Sequence, residues 1–208
     1  MADRPLLKVA LTGSIAMGKS TVAGMLRDAG GPVFDADAVV HQLYARNGKA
    51  VEPVGRLFPD AVRHGAIDRD ELSKLVFKDA AAMANLEAIV HPLVRQDQEE
   101  FMKSVQSSDC NVAVFDIPLL FETGRAEEFD AVLVVSAPYE IQRARALTRP
   151  DMTEAKFEAI LSRQVSDAQK RAGATHIIST DMPMDDTRGQ VLAIVEQLQS
   201  LAGDQLHA

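Results

Sequence analysis

Short apolar runs recur along the chain and predict the strands of one sheet. The runs cover 8–12, 32–35, 112–116, 131–135 and 176–179. Continuous apolar runs of this length are typical of strands that are buried on both faces. Helical patterns separate the runs, and this alternation predicts an α/β fold in which helices cover both sides of a five-stranded parallel sheet.

The second and third runs are separated by a long segment, 38–108, whose pattern is largely helical. Asp68 and Asp79 stand where helix N-caps are expected, ahead of apolar residues at helical spacing. Pro92 is expected to end the second of these helices, because proline disfavours helical geometry in the residue before it. A further helix is predicted from Leu93. The segment is too long for a simple crossover, so we expect an inserted helical subdomain that receives a second substrate.

A phosphate-binding loop is predicted directly after the first strand. Its pattern is a glycine, four further residues and then Gly-Lys-Ser. Glycines let the backbone bring N–H groups close to a polyphosphate, Lys19 supplies an ammonium for the outer phosphates, and the Ser20 hydroxyl can hold Mg²⁺. The helix that follows directs the positive end of its dipole at the anion. The predicted nucleoside triphosphate site consists of Gly13, Ser14, Ile15, Ala16, Met17, Gly18, Lys19, Ser20 and Thr21.

Carboxylates follow two of the predicted strands. Asp37 comes after the second strand and Asp116 ends the third, and ligands of open α/β sheets bind at the carboxyl ends of strands. Asp37 can serve as a general base or as a helix N-cap, and the spacing leaves both roles open. Asp116 ends a strand of the Walker B type, whose acid holds Mg²⁺, although a strand-end aspartate can also cap a turn. The loop behind it is unusually apolar, and Leu119 and Phe121 are its candidate substrate contacts.

Two helices that carry several arginines are predicted after the fourth strand, over 139–148 and 154–170. A charged helix of this kind is usually a solvated surface. The position is nevertheless that of the mobile lid in small kinases, where arginines clamp the transferring phosphoryl group. The arginines of this region are Arg143, Arg145, Arg149 and Arg163.

The composition restricts the partners of the protein. The chain has 208 residues and a net charge of −8, and this acidity argues against non-specific nucleic-acid binding, which needs a basic surface. No apolar run approaches the roughly 18 residues that a membrane span requires. Cys110 is the only cysteine, so no intramolecular disulfide forms. We expect a cytoplasmic protein with no nucleic-acid or membrane partner, and a monomer is favoured over an oligomer.

Several motifs occur in a fixed order along the chain. They are the phosphate loop with Leu11-Thr12 before it, Asp35-Ala36-Asp37, Ile89-Val90-His91-Pro92-Leu93-Val94-Arg95, Asp116-Ile117-Pro118-Leu119-Leu120-Phe121-Glu122, and Gln142 with Arg145 and Arg149. Together they resemble the dephospho-CoA kinase family over nearly the whole chain. The resemblance implies ATP- and Mg²⁺-dependent phosphorylation of the ribose 3′-hydroxyl of dephospho-CoA, the last step of coenzyme A biosynthesis. Another nucleoside or nucleotide kinase of the same fold is the alternative.

The resemblance also assigns roles to single residues. It implies that Asp37 is the base and that His91 and Arg95 bind the acceptor. It implies that Arg145 and Arg149 approach the phosphates, so that catalysis is expected to depend on Asp37, Lys19 and Arg145.

The implied architecture is a single P-loop kinase domain, 1–208, with a three-layer core. The nucleotide-binding core is expected over 1–36, 111–138 and 171–208, the helical substrate subdomain over 37–110 and the lid over 139–170. The chain departs from the family pattern at Ser14 to Met17, where glycine and serine are usual, at Ile160, where arginine is common, and at Thr180, which replaces an asparagine.

Overall fold

The computed structural model describes residues 6–108 and 110–204. It divides the chain into two compact units. One unit consists of the described residues within 1–34 and 104–208 and is built on a parallel sheet. The other unit, residues 35–103, is mainly helical.

Five of the strands form the sheet that the apolar runs predict, and this prediction is confirmed. Within the described residues the order across the sheet is β2-β5-β1-β6-β7, and the pairings of β1 with β5 and β6, and of β6 with β7, are parallel. The two short strands β3 and β4 form an antiparallel hairpin in the helical unit. The sequence does not predict this hairpin, because a strand of two residues shows no alternation. The strands are β1 (Leu7–Thr12), β2 (Val33–Asp35), β3 (Val62–Arg63), β4 (Ala66–Ile67), β5 (Val112–Asp116), β6 (Ala131–Ser136) and β7 (His176–Ser179).

The helices follow the predicted positions with two corrections. The predicted break at Pro92 is wrong, because one helix continues through it. The single helix predicted over 154–170 is also wrong, because Ser166 starts a new helix with a capping box to Gln169. The helices are α1 (Lys19–Asp28), α2 (Ala36–Tyr44), α3 (Val51–Leu57), α4 (Arg69–Val76), α5 (Ala80–Gln106), α6 (Tyr139–Leu147), α7 (Glu154–Leu161), α8 (Asp167–Ala172) and α9 (Met184–Asp204).

The sheet is buried on both faces, as its apolar strands require. Alternate residues of a strand point to opposite faces, so Leu11 and Leu133 pack in a cluster with residues of α1 and α9, whereas Ala10 and Val132 pack with Leu120 in a second cluster. Complete burial of a leucine such as Leu11 contributes about 1.5–3 kcal/mol. The core therefore fixes the carboxyl ends of β1, β5 and β6 as a rigid edge.

The helical unit has a hydrophobic core of its own. Leu43, Val54, Leu72 and Val90 are buried together in it. Asp68 caps α4 by accepting the N–H groups of Asp70 and Glu71, both at 3.1 Å, so the helix start predicted there is confirmed. None of the helices in the described part of the chain is both long enough and apolar enough to cross a membrane.

Candidate active site

The phosphate loop connects β1 to α1, and its two outer glycines have identifiable structural reasons. A Cβ on Gly13 would stand 2.8 Å from the backbone oxygen of Val135, so only glycine allows this close approach to β6. Gly18 has φ +92° at the N-cap of α1, a left-handed conformation that glycine adopts at little cost. Gly18 has no side chain to cap the helix, so first-turn N–H groups of α1 are left for another acceptor, such as a phosphate.

Ala16 shows how the loop tolerates a residue other than glycine. Its φ is +60°, and the left-handed conformation costs roughly 1–2 kcal/mol in a residue with a Cβ. The methyl group packs in a small buried cluster with Ala146 of α6 and Phe157 of α7. Burial of one methyl group stabilises the fold by about 0.8 kcal/mol, so this packing offsets part of the backbone strain. It also connects the loop to the helices over 139–161.

Two glutamine side chains hold the peptide groups of Ile15 in the same loop. Gln142 Nε2 donates to the Ile15 carbonyl at 2.8 Å, and Gln164 Oε1 accepts the Ile15 N–H at 3.1 Å. Gln142 is almost completely buried, so its side chain is well restrained. The sequence predicts no role for Gln164, because a contact between residues 149 positions apart leaves no local pattern.

A cavity of about 530 Å³ opens on this loop. Every residue that the sequence analysis assigned to ATP lines it. Met182 and Met184 add apolar surface to its wall, and both are exposed to solvent in part. The lining residues are Gly13, Ser14, Ile15, Ala16, Met17, Gly18, Lys19, Ser20, Thr21, Pro118, Arg145, Thr148, Arg149, Gln164, Thr180, Met182, Met184 and Thr187.

Lys19 of the phosphate loop is paired with an acidic side chain. Its ammonium forms an ion pair with Asp116 Oδ1, which is possible because the register of the sheet sets Asp116 at the end of β5 beside Leu11 of β1. Within the described residues no group of three or more histidine, cysteine or acidic side chains gathers as a metal site. Such a cluster is not required for Mg²⁺, because this ion keeps several waters and takes other oxygens from substrate phosphates; Ser20 and Asp116 remain the predicted protein ligands.

The loop after β5 is fixed by a buried ion pair. Glu122 Oε1 accepts the Val165 N–H at 2.8 Å and lies 2.9 Å from the Nζ of the fully buried Lys170. Burial alone would raise the pKa of Glu122, but the Lys170 ammonium and the N–H groups of Glu122 and Val165 together lower it. In the same loop Leu119 is 46% exposed. Phe121 is half-buried against Gly173, and a Cβ on Gly173 would lie only 2.6 Å from the Phe121 ring.

Three other predicted site residues belong to the helical unit. Asp35 rather than Asp37 is the N-cap of α2, since its Oδ1 accepts the Ala38 N–H at 2.9 Å. The interpretation of Asp37 as the cap is therefore wrong, and Asp37 is an exposed residue of the first turn. His91 and Arg95 are both exposed on α5, and their four-residue separation places them on one helix face.

The parallel sheet, the phosphate loop ahead of α1 and the arginine-lined cavity define a P-loop small-molecule kinase. The family model described as Dephospho-CoA kinase matches residues 7–186, and a Dephospho-CoA kinase of Rhizobium etli is 49% identical over 193 residues, 93% of this chain and 94% of its own. The chain belongs to the dephospho-CoA kinase family.

Solved structures agree with this fold. A crystal structure of a Thermus thermophilus protein superposes with a TM-score of 0.74 at 33% identity, covering 93% of this chain and 98% of the other. A dephospho-CoA kinase from Campylobacter jejuni has a TM-score of 0.63 at 24% identity, covering 93% and 97%. The second likeness concerns the fold alone.

Proposed function

We propose that the protein transfers the γ-phosphoryl group of ATP to the ribose 3′-hydroxyl of dephospho-CoA and so forms coenzyme A. The observation that carries this proposal is the cavity lined by Gly13 to Thr21, Arg145 and Arg149 in a chain of the dephospho-CoA kinase family. In the reaction a bond forms between the 3′-oxygen and the γ-phosphorus, and the bond from the γ-phosphorus to the bridging oxygen of ADP breaks.

The residues of the cavity have complementary roles toward ATP. The loop backbone and the start of α1 bind the phosphates, and Lys19 with Arg145 stabilises the charge that spreads over the transferring group. Arg149 adds a second guanidinium at the rim. The thioethers of Met182 and Met184 offer an apolar wall that suits a nucleobase. Ser20 and Asp116 are the residues that would hold Mg²⁺, and the ion, when bound, would supply positive charge against the phosphate oxygens.

Asp37 is the proposed general base. It stands in the first turn of α2, and Asp35 already provides the helix cap, so the Asp37 carboxylate is not occupied by that structural task. A carboxylate that hydrogen-bonds the 3′-hydroxyl orients it and takes its proton as the new bond forms. His91 and Arg95 are the proposed acceptor contacts on α5, with Leu119 and Phe121 as apolar contacts.

Three parts of the chain have different roles in the proposed reaction. Residues 37–110 serve as the substrate subdomain, 139–170 as the lid, and 1–36, 111–138 and 171–208 as the nucleotide core. We infer a cytoplasmic, monomeric enzyme with small-molecule substrates and without nucleic-acid or membrane partners. Its overall acidity supports the inferred lack of a nucleic-acid partner.

The position of the new phosphate tests the proposal. The purified protein is incubated with ATP, Mg²⁺ and dephospho-CoA, and the product is examined by phosphorus and proton NMR. The expected product carries a new phosphomonoester on the 3′-oxygen of the ribose. ADP formation without a 3′-phosphate, or phosphorylation at another hydroxyl, would assign the chain a different acceptor.

A further inference from the structure

Thr180 occupies a restrained position between the phosphate loop and Arg145. The residue follows β7, is 7% exposed and lines the cavity. Its N–H donates to the Ser136 carbonyl at 3.0 Å, which attaches its backbone to the end of β6. The rigid sheet edge therefore fixes where the Thr180 side chain begins.

The single hydroxyl of Thr180 makes two hydrogen bonds of opposite sense. Its Oγ1 donates to the Met17 carbonyl at 2.8 Å, and the same oxygen accepts a hydrogen bond from Arg145 Nη1 at 2.9 Å. Because the one hydroxyl proton is committed to Met17, the oxygen can only accept from the guanidinium. Thr180 Oγ1 is therefore the donor toward Met17 and the acceptor toward Arg145.

Arg145 is held by Thr180 at two points. Besides the bond to Oγ1, its Nη2 donates to the Thr180 backbone carbonyl at 2.5 Å. A guanidinium has five N–H donors in a rigid plane, so two are used here and three are left for other acceptors in the cavity. Two contacts to one residue fix the orientation of that plane, which a single contact would not do.

We propose that Thr180 is a positioning residue, which orients the Arg145 guanidinium and ties it through the Met17 carbonyl to the phosphate loop. The inference rests on the proposed function, because it assumes that Arg145 stabilises the transferring phosphoryl group. Thr180 does not touch the reacting atoms in this account. It acts by holding the N–H donors of Arg145 at a fixed position relative to the phosphate loop. This matters because small misplacements of catalytic groups greatly lower the reaction rate.

Kinetics of three variants test the proposal. Thr180→Val removes the hydroxyl, and we expect kcat to fall about 10- to 100-fold while the ATP dissociation constant changes less than about threefold. Thr180→Ser keeps the hydroxyl and should restore most of kcat. Thr175→Val is the matched control, because Thr175 Oγ1 accepts the Val132 N–H at the opposite end of β7, and its loss should lower the melting temperature without changing kcat.

A double-mutant cycle separates positioning from general damage. If Thr180 acts through Arg145, Thr180→Val should cost little further kcat in an Arg145→Ala background. If the two substitutions instead lower kcat by independent factors that multiply, the proposal is overturned. It is also overturned if kcat of Thr180→Val equals or exceeds that of the wild type, or if Thr180→Ser is as impaired as Thr180→Val.

A replacement variant and the wild-type activity separate failure of this inference from failure of the proposed function. If Thr180→Val does not fold, Arg145→Lys replaces it, since lysine keeps the charge but lacks the two-pronged contact; a wild-type kcat in Arg145→Lys would refute the positioning role. A wild-type protein that does not phosphorylate dephospho-CoA overturns both the proposed function and this inference. An active wild type with an unaffected Thr180→Val overturns the inference alone.

Discussion

Replacement of Lys170 by methionine should destabilise the sheet unit severely. The Lys170 side chain has no solvent exposure, and its Nζ lies 2.9 Å from Glu122 Oε1. Methionine keeps most of the side-chain volume but removes the ammonium. The Glu122 carboxylate, only 12% exposed and with its Oε2 buried without a hydrogen-bond partner, would then be a buried charge without its cation.

The expected size of the effect follows from the burial of this pair. Removal of one partner of a buried ion pair costs about 3–5 kcal/mol, because the remaining charge is uncompensated. For a domain of this size about 1 kcal/mol corresponds to 2–4 °C in melting temperature. Lys170→Met should therefore lower the melting temperature by roughly 6–20 °C.

Calorimetry of four proteins tests this reasoning. Arg125→Met is the matched control, because Arg125 pairs with Glu128 where both side chains are about half exposed, and such surface pairs contribute about 0–1 kcal/mol. Lys170→Met combined with Glu122→Gln should recover much of the loss, since no unpaired carboxylate is left. A Lys170→Met variant that melts within 2 °C or so of Arg125→Met would refute the argument.

Three further predictions concern the site and its pH dependence. Lys19→Ala should lower kcat about 10²- to 10³-fold in a steady-state assay, the usual effect of removing one charge-stabilising donor; unaltered turnover would contradict the phosphate-loop role. Asp37→Asn should lower kcat about 10²- to 10⁴-fold with unchanged ATP binding by calorimetry, whereas Asp35→Asn, which still caps a helix, should stay active; the reverse result would exchange the two roles. The folded-state pKa of Glu122 lies below its ordinary 4.5, so its contribution to the free energy of unfolding is complete above that pH and is lost as the pH falls through the folded value. In urea titrations between pH 7 and 3 the stability advantage of the wild type over Glu122→Gln should be constant at first and shrink only below about pH 4.5; a uniform difference would count against the ion pair.

The sheet could be predicted because its signal is local. Its strands are short segments centred on apolar residues, and a phosphate loop between a strand and a helix is defined by residues that are adjacent in sequence. The same holds for the Asp68 cap. These features depend on neighbours along the chain, which a sequence displays directly.

The continuity of α5 could not be predicted from local rules. Proline inside a helix removes a hydrogen bond and costs about 3 kcal/mol. Leu86 and Val90 before Pro92 are buried in the core of the helical unit, and Leu93 packs against it. Burial on both sides of the proline thus favours one helix over two, and this tertiary effect is not visible in the dipeptide His91-Pro92.

The start of α8 did have a sequence signal. Ser166 and Gln169 have the spacing of a capping box, and the structure shows both of its bonds. The contacts of Gln164 and Thr180 had no such signal, because they join the phosphate loop to residues far away in the chain. Long-range hydrogen bonds between side chain and backbone are therefore the part of the site that the sequence could not predict.

The preferred acceptor is the decisive test of the proposed phosphorylation of dephospho-CoA. The protein is assayed with ATP and Mg²⁺ against dephospho-CoA and AMP, and kcat/KM is measured for each with ADP release as the common signal. We expect kcat/KM for dephospho-CoA to exceed that for AMP by at least about 10²-fold, since AMP lacks the pantetheine arm of dephospho-CoA, which the helical unit is proposed to bind. An equal or higher kcat/KM for AMP would show that the protein is not a dephospho-CoA kinase in activity.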